Sequence, residues 1–205
     1  MSADRAVFLD RDGVLNELVL NRATGDHESP YRPEDVALAP GAAEAIRLLR
    51  TLDVPIAVVS NQPSAAKGTT DLEALAAVHD AVMALLEDEG VAVDEVRYCF
   101  HHPAGADPDL GRPCDCRKPA PGLILQAADA LGLDAAALGR SWLIGDSDVD
   151  VAAGRAAGLR TVLVEDPRSS HRRAGAEADA RADDVLEAAR IVAAATPTIL
   201  GEEAR

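Results

Sequence analysis

Aromatic side chains are nearly missing from this sequence: two Phe, two Tyr and one Trp in 205 residues. Its core therefore has to be filled by Ala, Val and Leu, a composition that suits buried parallel strands covered by Ala-rich helices. Cysteine is scarce as well. The three present form an odd set between positions 99 and 116, which does not look like a secreted disulfide framework. Basic residues are outnumbered, 20 against 35 acidic ones, for a formal charge of −15. That balance argues against nucleic acid or an anionic membrane as a partner, since both demand a basic surface. It leaves room for a small phosphorylated molecule, because a few local cations and backbone N–H groups can hold one phosphate. No apolar run approaches the roughly 18–20 residues of a transmembrane helix. Met1-Ser2-Ala3-Asp4-Arg5 runs straight into a strand-like segment, so the expectation is no signal peptide and a reduced, cytoplasmic setting.

The length suits one domain with a substantial core, expected to span residues 1–205 with its centre at about 6–165. Strand-like runs at 6–9, 56–59, 95–100, 142–144 and 161–164 alternate with helical stretches at 41–52, 72–90, 123–131 and 149–157. Asp71 reads as an N-cap, and a last helix is expected at about 184–194. Residues 16–40 read as a long polar stretch. The Arg-rich run from Arg168 to Arg181 reads as solvated, and the tail after Pro197 as frayed. Alternation of strand and helix predicts an α/β fold with a doubly wound parallel sheet, whose ligands sit beyond the C-terminal strand ends.

The chemically suggestive residues fall at those ends. Asp10 and Asp12 follow the first strand, Ser60-Asn61-Gln62 the second, and Gly145-Asp146 with Asp150 the strand at 142–144. Lys118 stands in the loop that leaves the third strand. A lone D-x-D is a weak signal in so acidic a chain, and Asp107/Asp109 is most simply a solvated turn. The first pair differs because it ends a buried apolar strand, where two carboxylates cost several kcal/mol unless a cation or donors compensate. Mg²⁺ is the natural compensator, with Asp10, Asp12 and Asp146 as its protein oxygens. Asp10 could then attack phosphorus, Asp12 could move the proton, and Ser60 and Lys118 could hold the phosphoryl group.

Asp10-Arg11-Asp12-Gly13, Ser60-Asn61-Gln62, Arg117-Lys118-Pro119 and Gly145-Asp146 with Asp150 resemble, in order, the four motifs of the haloacid dehalogenase-like phosphatases. The resemblance covers about residues 6–165. It implies an aspartate nucleophile at Asp10, a general acid/base at Asp12, phosphoryl stabilisation by Ser60 and Lys118, and a Mg²⁺ site completed by Asp146. Asp150 is expected to orient that site rather than ligate the metal.

Cys99-Phe100-His101 and Cys114-Asp115-Cys116 make two short chelating pairs, and four N/S ligands suit a closed, structural Zn²⁺ site. His102 competes with His101 for the fourth place. Such a site would pin the loop that ends at Arg117-Lys118. The same cysteine pattern is similar to that of the D-glycero-D-manno-heptose-1,7-bisphosphate 7-phosphatases, compact members without a large cap domain. The histidinol-phosphate phosphatases share the zinc loop. The resemblance implies a small phosphorylated sugar as substrate, recognised by Arg117; Asn61 is also expected to bind it, a monomer is expected, and Lys67, more simply a solvated loop residue, could face a second phosphate. Histidinol phosphate and other small sugar phosphates remain alternatives, as does a non-catalytic binding module. Two departures touch the substrate-reading regions: residues 16–40 are long and unlike the family version, and Ser60-Asn61-Gln62-Pro63-Ser64 replaces the usual Thr-Asn-Gln-Ser-Gly. Trp142 and His79 carry no assigned role beyond packing, and His27 is a polar-loop residue that could touch substrate.

Overall fold

A computed structural model describes residues 3–196. Its first strand, β1 (Val7–Leu9), is apolar throughout and fully buried, so the only stable place for it is the middle of a sheet. It pairs in parallel with two later strands. Along the chain come the short strands β2 (Val19–Leu20) and β3 (His27–Glu28), then helix α1 (Ala42–Arg50) and strand β4 (Ile56–Asn61). Helix α2 (Leu72–Asp88) and strand β5 (Glu95–Cys99) follow, then helices α3 (Gly122–Ala130) and α4 (Ala135–Leu138). The second half holds β6 (Trp142–Gly145), α5 (Asp148–Ala156), β7 (Arg160–Val164), β8 (Ala180–Ala182) and α6 (Val185–Ala195). The six-stranded sheet is parallel, in the order β5-β4-β1-β6-β7-β8, and β2 and β3 form a separate antiparallel pair. The doubly wound parallel sheet expected from the sequence is the observed fold.

Period-two alternation sends neighbouring side chains of one strand into different layers. Val7 and Leu9 join Ile56, Val58 and Ile144 under α1 and α6, whereas Phe8 joins Ala57, Val59 and Leu143 under α3 and α5. Helices α1 and α6 also pack on each other. The helix starts follow from their caps: Asp71 accepts from the Ala74 N–H at 2.8 Å, and Asp184 does the same for Glu187 at 2.8 Å. Among the described residues, no helix is long and apolar enough to cross a membrane.

Three segments differ from the sequence-based expectation. The polar stretch at 16–40 contains the β2–β3 pair and a short 3-10 helix, Pro33–Asp35. The run expected to be solvated, Arg168–Arg181, forms a second 3-10 helix, Pro167–Arg172, and leads into the edge strand β8. Arg side chains are half-buried there because Asp166, Glu17 and Asp146 draw them inward. Strand β8 is docked by Asp179, which accepts from the Thr161 N–H and hydroxyl at 2.8 and 3.0 Å. Helix α4 was also missing from the expectation. The tail after Pro197, expected to fray, lies outside the described residues.

Phe8 is fully buried in the central strand. Phe8→Ala is expected to destabilise the protein by about 3–5 kcal/mol, measured by urea unfolding monitored by circular dichroism.

Candidate active site

The end of β1 is drawn into the site by its own backbone. The Asp10 N–H still donates to the Ile144 carbonyl at 2.9 Å, and the chain then turns so sharply that the Arg11 carbonyl accepts from Leu15 and Asn16 at 2.7 and 3.1 Å. Gly13 makes the turn with φ +88°, where side chains are strained, and a Cβ there would lie 2.3 Å from Asp146 Oδ2. The β1 turn and the β6 end are thereby packed without space for a methyl group.

Asp10, Asp146 and Asp150 each offer a carboxylate oxygen within 4.8 Å of the others, and all three are buried. Lys118 is the buried cation among them. Its ammonium lies 2.9 Å from Asp10 Oδ1, 2.6 Å from Asp150 Oδ1 and donates to the Val59 carbonyl at 2.7 Å, which employs all three of its hydrogens. Burial pushes the Lys118 pKa down, but the Asp10 and Asp150 charges outweigh it and the ammonium is held above its usual range. Asp150 also takes the Ser147 N–H and hydroxyl in a capping box at the start of α5, so its oxygens are committed. It orients Lys118 and α5.

Asp146 is different. It is completely buried, and neither carboxylate oxygen has a hydrogen-bond partner. The nearest cation, Arg172, stops at 3.6 Å. Burial, then the Asp10 and Asp150 charges, raise its pKa well above the ordinary carboxylate range. Three carboxylates facing one lysine, with two bare oxygens among them, fit a hard divalent cation held by oxygen. Asp12, expected with Asp10 and Asp146 to hold that cation, does not bring its carboxylate into this cluster. Its side chain is turned into a cage of donors: Arg11 Nη2 at 2.9 Å, Asn16 Nδ2 at 3.0 Å and Gln62 Nε2 at 2.5 Å. Burial raises the Asp12 pKa, but the Arg11 charge and these hydrogen bonds outweigh it and lower the value, favouring the anion.

Ser60, at the end of β4, accepts from Gln62 Nε2 at 3.2 Å. Asn61, expected to bind substrate, makes a reciprocal pair with the backbone of Lys118: its amide donates to the Lys118 carbonyl and its Oδ1 accepts the Lys118 N–H, both at 3.0 Å. Ser60, Asn61, Lys67, Arg117 and Arg172 surround a cavity of about 320 Å³ whose floor is Asp10 and Asp12. A larger depression of about 680 Å³, between Ala65–Glu73 and Ala106–Leu110, contains none of these groups.

Cys99, His101, Cys114 and Cys116 converge beside Arg117. Their sulfurs are 3.2–3.6 Å apart and His101 Nδ1 lies 3.5 Å from the Cys116 sulfur, close to the roughly 3.8 Å edge of a tetrahedron with 2.3 Å metal–sulfur bonds. His102 is excluded from the cluster, since its Nδ1 accepts from the Ala104 N–H in its own loop. All three thiols are free of disulfides.

Sequence reasoning missed Arg172 and the cage of Arg11, Asn16 and Gln62. Gln62 and Arg11 lie inside quoted motifs and could have been singled out as buried donors facing carboxylates. Arg172 left no signal, being one Arg in a run of them, 26 residues beyond Asp146.

A family model described as "HAD-hyrolase-like" matches residues 115–189. The crystal structure of D,D-heptose 1,7-bisphosphate phosphatase from B. bronchiseptica, complexed with magnesium and phosphate, superposes with a TM-score of 0.72 at 28% identity. That alignment covers 92% of this chain and 97% of the other. Sheet, strand-end carboxylates and buried lysine together define the class of HAD-like phosphatases, which are phosphoric monoester hydrolases. The D-glycero-beta-D-manno-heptose-1,7-bisphosphate 7-phosphatase of Yersinia pestis is 34% identical over 182 residues, 88% of this chain and 89% of the other. Its namesake in Mesorhizobium japonicum is 39% identical over 154 residues, 75% of this chain and 66% of the other. The chain belongs to this family of heptose bisphosphate phosphatases.

A buried donor or acceptor left unpartnered costs about 1–3 kcal/mol, and more when it is charged. Asp146→Asn is therefore expected to melt several degrees above the parent protein when both are free of metal, and to lose the stabilisation that added Mg²⁺ gives the parent. Thermal denaturation with and without Mg²⁺ measures both effects.

Proposed function

We propose that this protein removes the 7-phosphate of D-glycero-D-manno-heptose 1,7-bisphosphate by way of an aspartyl-phosphate on Asp10. The observation that carries the reading is the Lys118 ammonium, buried between Asp10 and Asp150 beside the bare Asp146 carboxylate, at the floor of a cavity rimmed by Arg117, Lys67 and Arg172. Strand ends of one sheet carry three of the motifs and the loop that leaves its strand β5 carries the fourth, which supports a single phosphatase domain. A monomer in the cytoplasm is part of the proposal.

In the first half-reaction an Asp10 carboxylate oxygen attacks phosphorus, a new O–P bond forms and the ester P–O bond breaks. The departing sugar oxygen takes a proton from Asp12. In the second half Asp12, now the anion, takes a proton from water as that water attacks the aspartyl-phosphate, releasing inorganic phosphate and restoring Asp10. Ser60 donates a hydrogen bond to a phosphoryl oxygen, and Lys118 does so with the hydrogen it releases from Asp10 as Asp10 bonds phosphorus, so that charge is met where it develops. Asp10 and Asp146 would hold Mg²⁺, with Asp12 contributing its main-chain oxygen, because its carboxylate is engaged elsewhere. Bound there, Mg²⁺ supplies charge neutralisation and polarises a phosphoryl oxygen. The cage around Asp12 favours the anion, the form the second half requires. Arg117, Lys67 and Arg172 stand where a second phosphate of the substrate could be met. That supports a bisphosphate over histidinol phosphate.

Cys99, His101, Cys114 and Cys116 would hold Zn²⁺ as a structural ion. Their loop delivers Lys118, which is tied to β4 by Asn61, so fixing the loop fixes the ammonium.

Phosphate release with Mg²⁺ across heptose bisphosphate, fructose 1,6-bisphosphate and histidinol phosphate tests the substrate. The expected result is a kcat/KM for the heptose at least roughly tenfold above the others, and no turnover by Asp10→Asn. Preference for histidinol phosphate would overturn the substrate assignment and leave the aspartyl-phosphate chemistry standing. For the zinc site, metal analysis is expected to find about one zinc per chain in the parent protein and none in Cys116→Ser, with turnover of the Mg²⁺-replete variant lowered. Zinc retained by the variant, or turnover unchanged after its loss, would count against this role.

A further inference from the structure

The donor cage around Asp12 does not end at Arg11. The Arg11 side chain is fully buried. Its Nε and Nη2 grip the Asp12 carboxylate at 3.1 and 2.9 Å, and its Nη1 meets no acceptor. The guanidinium carbon lies over the Tyr98 ring, 5.3 Å from the centroid, so the negative face of the ring supplies what an acceptor would. Tyr98 is placed by β5, where it stands opposite Ser60 of β4 in the sheet register. Its hydroxyl is 2.8 Å from His79 Nδ1, a half-buried residue of α2, and the His79 ring meets the Tyr98 ring edge-on at a 5.3 Å centroid separation. A continuous line of contacts thus runs from the surface helix α2 through His79, Tyr98 and Arg11 to the carboxylate at the cavity floor. In a chain with two tyrosines, one is spent on this line.

We propose that Tyr98, held by His79, is a positioning residue that fixes the Asp12 carboxylate through Arg11. Tyr98 does not line the cavity; it denies the guanidinium any other orientation. Arg11 is the group that suits this task, because its planar fork binds the carboxylate at two points and stacks on a ring, which a lysine would not do. The inference rests on the assignment of Asp12 as acid and base.

The two half-reactions separate its effect from simple loss of packing. With 2,4-dinitrophenyl phosphate the leaving group departs without a proton donor, so a misplaced Asp12 shows only in the hydrolysis of the aspartyl-phosphate. Rapid-quench measurement of dinitrophenolate release and of protein-bound phosphate, on Mg²⁺-loaded Tyr98→Leu and Tyr98→Phe, reads both halves. The expected result for Tyr98→Leu is formation of the aspartyl-phosphate within about twofold of the parent rate and hydrolysis slowed roughly tenfold or more, so that phosphorylated protein accumulates. Tyr98→Phe keeps the ring and its edge-on packing on His79, loses only the hydroxyl contact with His79 Nδ1, and should accumulate it to a smaller extent. Equal slowing of both halves, or no accumulation in either variant, would overturn the inference. Should circular dichroism show that Tyr98→Leu does not fold, Tyr98→Phe decides alone. Asp12→Asn serves as the reference: if it fails to accumulate aspartyl-phosphate, the assignment of Asp12 is at fault; if it accumulates and the Tyr98 variants do not, Tyr98 is at fault.

Discussion

Everything at this site depends on an imbalance of buried charge. Asp10, Asp146 and Asp150 converge within a few ångströms, and the interior supplies one ammonium, Lys118, to face them. Two of the carboxylates are matched by that lysine, and the third is left with both oxygens bare. A fold does not retain such an arrangement for stability, because an unpaired carboxylate out of water is costly. The surrounding structure has to enforce it. The parallel strands β1 and β6 do so by ending side by side, and Gly13 lets the β1 turn press against Asp146. Conformational strain, close packing and charge are thus concentrated in one place, and the apolar layers on both sides of the sheet hold it together.

Two carboxylates two residues apart are shifted in opposite directions by their neighbours. For Asp10, desolvation comes first and Lys118 only partly offsets it, so its pKa is raised. Asp12 suffers the same burial, yet Arg11, Gln62 and Asn16 more than repay it and the anion is preferred. The difference comes from which donors each side chain reaches and not from depth, since both are almost inaccessible to water.

The parallel sheet and the strand-end motifs were legible in the sequence for a physical reason. Buried parallel strands are written as short, uninterrupted apolar runs, and the polar residues that end them stand out against that background. The cysteine cluster was legible because all three cysteines lie close together in sequence, Cys99 ending β5 and the other two in the loop after it, although choosing His101 over His102 needed the direction of each ring. What stayed hidden was written in weaker signals. Strands β2, β3 and β8 are two or three residues long, too short to show a period. Asp12 was read as a metal ligand because spacing places it beside Asp10, whereas the direction of its carboxylate is set by Gln62, fifty residues away. Arg172 and Tyr98 came within reach of the site only through folding, from segments whose local composition speaks of solvent or of packing.

The reciprocal pair between Asn61 and the backbone of Lys118 has a consequence of another kind. Because both atoms it engages belong to the main chain of residue 118, the clamp is indifferent to the side chain carried there. The loop that ends at Arg117 keeps both hydrogen bonds to β4 with any residue but proline in place of the lysine, so architecture and reactivity are specified by separate atoms of the same residue. A scaffold divided in this way permits the exchange of one charge for another at its centre without being rebuilt around the newcomer, and it offers evolution a socket as well as a catalyst.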